Sequence, residues 1–240
     1  MTTSVASVIQ LYRLSVLSTR RHLLLCALIA TRVWIECGLH LVSNSRAEGS
    51  ILMADNKYPD WFSITAKPNF ERFLTPLAGK DNLNFLQLGA YTGDASLWML
   101  DNVLTGKNCI LFDVDTWEGS DEEVHHKMDF SDVERVYDEK INKRSFKQKT
   151  TSLEYLLTNT RTYDFVYVDA DHTAASAFLD GELGWQRLNS GGILAFDDYE
   201  WGTHLPAHLA PKLGVQLFIH RHQAEFETLV INGQYWVRKI

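Results

Sequence analysis

At 240 residues, 45% hydrophobic and 22% charged, the chain has globular composition and a length that suits one domain with a modest extension. Its net charge of −7 disfavours a general binder of nucleic acid or of anionic membranes. Cys26, Cys37 and Cys109 show neither metal-type spacing nor an even-numbered framework, so the expected setting is reducing and cytoplasmic, with Cys109 a buried small hydrophobe.

Residues 1–52 differ from the rest. They hold five arginines (Arg13, Arg20, Arg21, Arg32 and Arg46), no lysine, and only Glu36 and Glu48 as acids. The apolar run from Leu23 to Ala30 is too short to span a bilayer and is followed closely by Arg32 and Glu36. Three readings are open: a signal or transit segment, an amphipathic helix, or a non-native extension with Met53 as the functional start. The last is favoured, because ordinary domain composition begins there. Residues 53–240 form the expected functional domain.

From residue 84 onward the pattern alternates strand and helix. Asn84 to Leu88 reads as a strand closed by Gly89, Ala95 to Leu104 as a helix, and Asn108 to Val114 as a second strand. Residues 121–145 are charged with helical stretches, and Ser152 to Thr158 reads as a short helix. Asp164 to Val168 is a third strand, Ala174 to Leu188 a helix stopped by Asn-Ser-Gly-Gly, and Ile193 to Phe196 a fourth strand. These strand runs are apolar without alternation, as parallel strands covered on both faces are, which gives an α/β class: a Rossmann-like, doubly wound, mostly parallel sheet. Residues 205–222 read as helical with a break at Pro211. Phe226 to Ile231 and Gln234 to Val237 are strand-like around Asn232-Gly233, a hairpin signal that adds an antiparallel end to the sheet.

Ligands of such sheets bind at the carboxyl ends of the strands, and four segments there carry chemistry. The turn Leu88-Gly89-Ala90-Tyr91-Thr92-Gly93 lets the backbone pass close to a ligand, and the helix start behind it offers free N–H groups. A plain strand-to-helix turn would look similar, and the spacing is not that of a dinucleotide fingerprint. Asp115, at the end of the second strand, can accept both hydroxyls of a ribose; Asp113 could equally face solvent or cap a turn. Asp169-Ala170-Asp171-His172 and Asp197-Asp198 end the third and fourth strands. Four carboxylates at neighbouring strand ends repel one another unless a cation neutralises them, and hard oxygen donors suit Mg2+, Mn2+ or Ca2+. Helix capping by Asp171 and Asp198 explains part of this set but not all four. His172 is either a general base tuned near neutrality or a packing residue of its loop. The five basic residues between Lys140 and Lys149 read as a solvated face.

The ordered segments LQLGAYTGDAS, DVDTWEGS, DFVYVDADH and GGILAFDDYEW resemble class I S-adenosylmethionine (SAM)-dependent methyltransferases, most closely the macrocin-type metal-dependent O-methyltransferases. The likeness covers about residues 58–240, and the terminal hairpin agrees with it. It implies SAM contacts at Gln87, Gly89, Ala90, Gly93, Asp115, Ser152 and Asp169, with Gln87 standing where the family often has Glu. It implies Mg2+ or a similar divalent cation on Asp169, Asp197 and Asp198. The base would be Asp171; a nearby Tyr of the metal-dependent relatives is replaced here by His172 and Thr173, so the base stays open between Asp171 and His172. The implied activity is methylation of a hydroxyl on a small molecule or sugar, with no nucleic-acid partner, no stable membrane insertion, and homo-oligomerisation left open. A metal-independent methyltransferase acting on a small molecule or protein side chain, and a non-catalytic SAM- or nucleotide-binding module, are the alternatives. An NAD dehydrogenase is disfavoured by the glycine spacing and the hairpin.

Overall fold

The computed structural model describes residues 57–120 and 122–240, so the reading of residues 1–52 lies outside the described residues. Seven strands form one sheet: β1 (Asn84–Leu88), β2 (Ile110–Asp115), β3 (Phe146–Lys149), β4 (Tyr163–Val168), β5 (Leu188–Phe196), β6 (Phe226–Ile231) and β7 (Tyr235–Lys239). Their order is β3-β2-β1-β4-β5-β7-β6. Every pairing is parallel except those of β7 with β5 and β6. The helices are α1 (Lys67–Leu74, entered through a π-helical turn at Phe62–Ala66), α2 (Asp94–Asn102), α3 (Phe130–Ile141), α4 (Ser152–Thr158), α5 (Ala174–Arg187) and α6 (Pro211–His222). Among the described residues no helix is long and apolar enough to cross a membrane. This is the doubly wound, mostly parallel sheet with an antiparallel end that the strand runs imply.

Side chains alternate across each strand, and the sheet carries a core on either face. Leu86 and Leu88 of β1 join Val166, Val168, Leu194 and Phe196 on the face covered by Trp185 of α5 and Phe218 of α6. Phe85 joins Phe165, Tyr167 and Trp236 on the face covered by Phe70 of α1 and Met99 of α2. Phe70 is fully buried and meets Phe62, Trp98, Phe165, Tyr167 and Trp236 edge-on, with ring centroids 4.9 to 5.7 Å away. Edge-to-face contact of this kind adds to the gain from burial alone.

Several elements depart from the sequence pattern. β3 is a polar edge strand inside the segment read as a solvated basic face; Lys147 and Lys149 both pair with Glu134 there. β5 begins at Leu188 and runs straight through the Asn-Ser-Gly-Gly stretch. Pro211 opens α6 instead of breaking a longer helix, since its missing N–H costs nothing in the first turn. Cys109 is only partly buried, with Sγ 3.2 Å from the Lys80 carbonyl oxygen. The hairpin forms, but neither Asn232 nor Gly233 takes a positive φ. The turn is held instead by the Asn232 side chain, which accepts from the Gln234 N–H at 2.9 Å and reaches Asn69 of α1.

Phe70→Ala should cost about 3–5 kcal/mol, the usual range for emptying an aromatic site in a packed core. Urea denaturation of the two proteins checks this; a loss below about 1 kcal/mol would show that α1 contributes little to the fold.

Candidate functional site

Leu88, Val114, Val168 and Phe196 stand level across the sheet, so the residues after them form one row at its carboxyl edge. The row reads Asp115, Gly89, Asp169, Asp197. Strand order reverses between β1 and β4, and this is where such sheets hold ligands. Gly89 has φ +86, and a Cβ there would lie 1.8 Å from the Asp169 carbonyl oxygen. Only glycine lets the first turn cross so near the β4 end. Gly93, at φ +80, opens α2 in the left-handed conformation.

Asp115 holds this turn together. Its Oδ2 accepts from the N–H groups of Ala90 and Tyr91 at 2.7 and 2.9 Å, and its Oδ1 accepts from Trp117 N–H at 2.7 Å. Tyr91 and Trp117 both have positive φ, and the indole N–H of Trp117 donates to the Tyr91 carbonyl. Gln87 turns inward, donating to the Gly89 carbonyl and accepting from the Ser96 hydroxyl. Ser152 opens α4 beside the buried Asp180 of α5, and Asp180 Oδ2 has no hydrogen-bond partner. Burial pushes Asp180 up to about 7.

The other acids divide by their partners. Asp169, His172 and Asp198 converge, with one donor atom from each lying within 4.8 Å of the others. His172 Nε2 lies 3.0 Å from Asp198 and 3.9 Å from Asp169, while Nδ1 lies 3.0 Å from Glu122. Burial opposes a charge on His172, but Asp169, Asp198 and Glu122 outweigh it and hold its pKa well above the ordinary value. Asp169 is pushed far up, first by burial and then by the charge of Asp197. The Trp201 ring packs 4.9 Å from the imidazole.

Asp197, expected in the metal trio, also has protein partners. Its two oxygens accept from Tyr167 Oη at 2.6 Å and from Gln234 Nε2 at 2.8 Å. Gln234 in turn accepts from Asn69 and Trp236, so Asp197 belongs to a network that ties α1 to β7. Asp171 departs from the expected base. It is exposed, accepting from the Thr173 N–H and the Ser176 hydroxyl at the start of α5. Asp169, His172 and Asp198 are the residues whose donor atoms converge, and Asp197 stands next to them in the row with one hydrogen bond on each oxygen. Glu122 was not legible as a site residue. Its only signal is the density of acids and histidines in residues 120–126 after β2.

Asp113 neither faces solvent nor caps a turn. It is fully buried and accepts from Ser96 and Tyr137 at 2.9 and 2.7 Å. Burial pushes it up to about 6 against the pull of the Tyr137, Ser145 and Ser96 hydroxyls. A carboxyl group whose folded pKa exceeds its unfolded value of about 3.9 stabilises the fold at low pH, and this contribution is lost as pH rises through 6. The native protein should lose on the order of 2–3 kcal/mol more than Asp113→Asn between about pH 4 and pH 7. Urea titrations at several pH values test this, and parallel profiles for the two proteins would refute it.

Comparison with known proteins places the site in context. Residues 86–199 match the family described as methyltransferase domain. No curated protein sequence matches the chain. A Clostridium thermocellum protein described as an rRNA-methylase is similar in structure, with a TM-score of 0.54 and 14% identity over 72% of this chain and 97% of its own. MycE methyltransferase from the mycinamycin biosynthetic pathway, in complex with Mg, S-adenosylhomocysteine (SAH) and mycinamycin VI, gives 0.50 and 17% over 75% of this chain and 48% of its own. At such identities the likeness shows the fold alone. The family match spans the glycine turn, Asp115 and both acid-bearing strand ends, so the likeness to a methyltransferase domain covers the whole of the candidate site.

Proposed function

We propose that the chain transfers the SAM methyl group to a hydroxyl oxygen of a small molecule, with a divalent cation beside the reacting oxygen. The observation that carries this reading is the convergence of Asp169, His172 and Asp198 directly beside the glycine turn. SAM would lie along that turn, its methionine part over Gly89, Ala90 and Gly93, its ribose toward Asp115 and its adenine toward Ser152. MycE, which has this fold, binds Mg, SAH and a mycinamycin, which supports a small-molecule acceptor.

The acceptor hydroxyl would enter between Asp169 and Asp198. A cation there supplies neutralisation of the carboxylates and a lowered hydroxyl pKa. The O–H proton passes to a carboxylate of the cluster as the oxygen attacks the methyl carbon. The C–O bond forms, the C–S bond breaks, and SAH leaves neutral. Asp171 is outside this arrangement, and His172, with a carboxylate facing each ring nitrogen, orients the cluster rather than accepting the proton. Much of the rate comes from holding the two reactants in line.

A second reading is favoured by one observation: protonated His172 between Asp198 and Glu122 itself supplies a positive charge. In that case transfer runs without metal. Turnover of SAM over a panel of hydroxyl acceptors separates the two, since full activity in excess EDTA selects the metal-free route. Asp198→Ala should abolish transfer while SAH still binds by calorimetry. Gly89→Ala, whose new Cβ meets the Asp169 carbonyl, should weaken SAH binding by at least about tenfold, or 1.4 kcal/mol. SAH affinity unchanged in Gly89→Ala would move the cofactor away from this turn.

A further inference from the structure

We propose that the protein carries a second ligand site at the amino edge of the sheet, for a phosphomonoester with an apolar body. The site is a cavity of about 480 Å3 between the end of α1, the loop into β1 and the start of β5. It stands apart from the methyl-transfer reading. Asp164 of β4 lines it, and Asp169, in the row of acids, lies five residues on, roughly 16 Å along an extended strand.

Charge selects the class of ligand. The chain has a net charge of −7, yet Arg72, Lys80 and Arg238 all line this one cavity. Arg72 lies over the Phe73 ring, 4.9 Å from its centroid, and Lys80 is exposed; neither has an ion-pair partner among the described residues. Arg238 has one nitrogen 3.4 Å from Glu227, which leaves its other guanidinium N–H groups for a ligand. Asp164 is the acid among the lining residues. It faces donors of the protein itself, the Asn84 N–H at 2.8 Å and the Asn189 side-chain amide at 2.9 Å. Three cations beside one carboxylate suit a dianion, and guanidinium forks match phosphate oxygens in pairs.

The backbone supplies the second observation. β5 pairs with β4 at Leu188 and again at Ile193, opposite Tyr163 and Phe165, so residues 189–192 bulge out of register. Pairing with β7 begins only at Ile193. The Asn189–Asp164 bond fixes the bulge at its base. Further along, Gly191 has φ +78, and an added Cβ there would meet nothing within 4 Å. Gly191 therefore brings main chain without side-chain cover to the cavity, and such main chain can donate N–H groups to an anion. Phe73 and Leu77, both half-buried, add apolar surface together with Leu83 and Ile193. Polar anchors beside an apolar wall are the make-up of a small-molecule site, so a phosphate that carries a ring fits better than phosphate alone.

Calorimetry of the full chain in excess SAH, titrated with phenyl phosphate, reads this directly. One site per chain is expected, with a Kd of about 1 mM or tighter. Inorganic phosphate should bind more weakly, and benzyl alcohol, which has the ring without the charge, should not bind. Arg72→Glu combined with Lys80→Glu should weaken phenyl phosphate at least about tenfold while the Tm and the SAH affinity stay unchanged. Arg238→Gln, a milder change, should weaken it in the same direction. Absence of binding, an affinity untouched by both variants, inorganic phosphate binding as tightly as phenyl phosphate, or binding that SAH competes away each overturns the proposal. The last outcome would put the anion in the methyl-transfer site.

Discussion

At Gly89 the chain passes over the Asp169 carbonyl with no room for a side chain. That contact joins the end of β1 to the end of β4, the two strands between which the sheet reverses its order. With the strand ends level, the ligand-facing turn and the acid-bearing ends become one surface. Move the turn outward by the width of a methyl group and Asp115 no longer meets the amides of Ala90 and Tyr91. The carboxyl edge of the sheet would then no longer present the glycine turn and the acids as one surface.

Adjacent residues at the strand ends do unrelated jobs. Asp197 is bound into the Tyr167–Gln234–Asn69 network, which joins the first helix and the terminal hairpin under the acid cluster. Asp198, one residue on, has φ +52 and turns its carboxylate to His172. The same division separates Asp171, tied to the start of α5, from His172. The desolvation cost of the buried Asp197 carboxylate is offset by its hydrogen bonds to Tyr167 and Gln234. The hairpin is therefore more than a sheet edge, since Gln234 holds the neighbour of a site residue in place.

How much of this was legible depended on the kind of signal. The central strands were, because parallel strands buried on both faces are written as unbroken apolar runs. β3 was not, since Phe146–Lys149 is a polar edge strand whose pairing with β2 leaves no hydrophobic pattern. The first half of β5 was hidden by glycines that ordinarily stop chains. At the site, the acids at strand ends were legible as a group, and Asp169 and His172 with Asp198 do meet. Which carboxylate of each pair faces the site was not, because one residue of backbone rotation decides it. Glu122 escaped because its meeting with His172 joins loops 50 positions apart by sequence number, and only the folded chain brings them together.

The Asp115 carboxylate has consequences for how a cofactor arrives. A carboxylate offers about four lone-pair positions, and three are already filled by backbone amides of the turn. One remains for a ribose hydroxyl. A diol that seeks two must win the second from Ala90, Tyr91 or Trp117, so docking at this spot is an exchange of partners and not the filling of a vacancy. The incoming nucleoside would loosen the very loop that Trp117 and Tyr91 lock with their left-handed backbones. In the proposed binding mode, cofactor capture and release would both run through an exchange of partners at this one carboxylate.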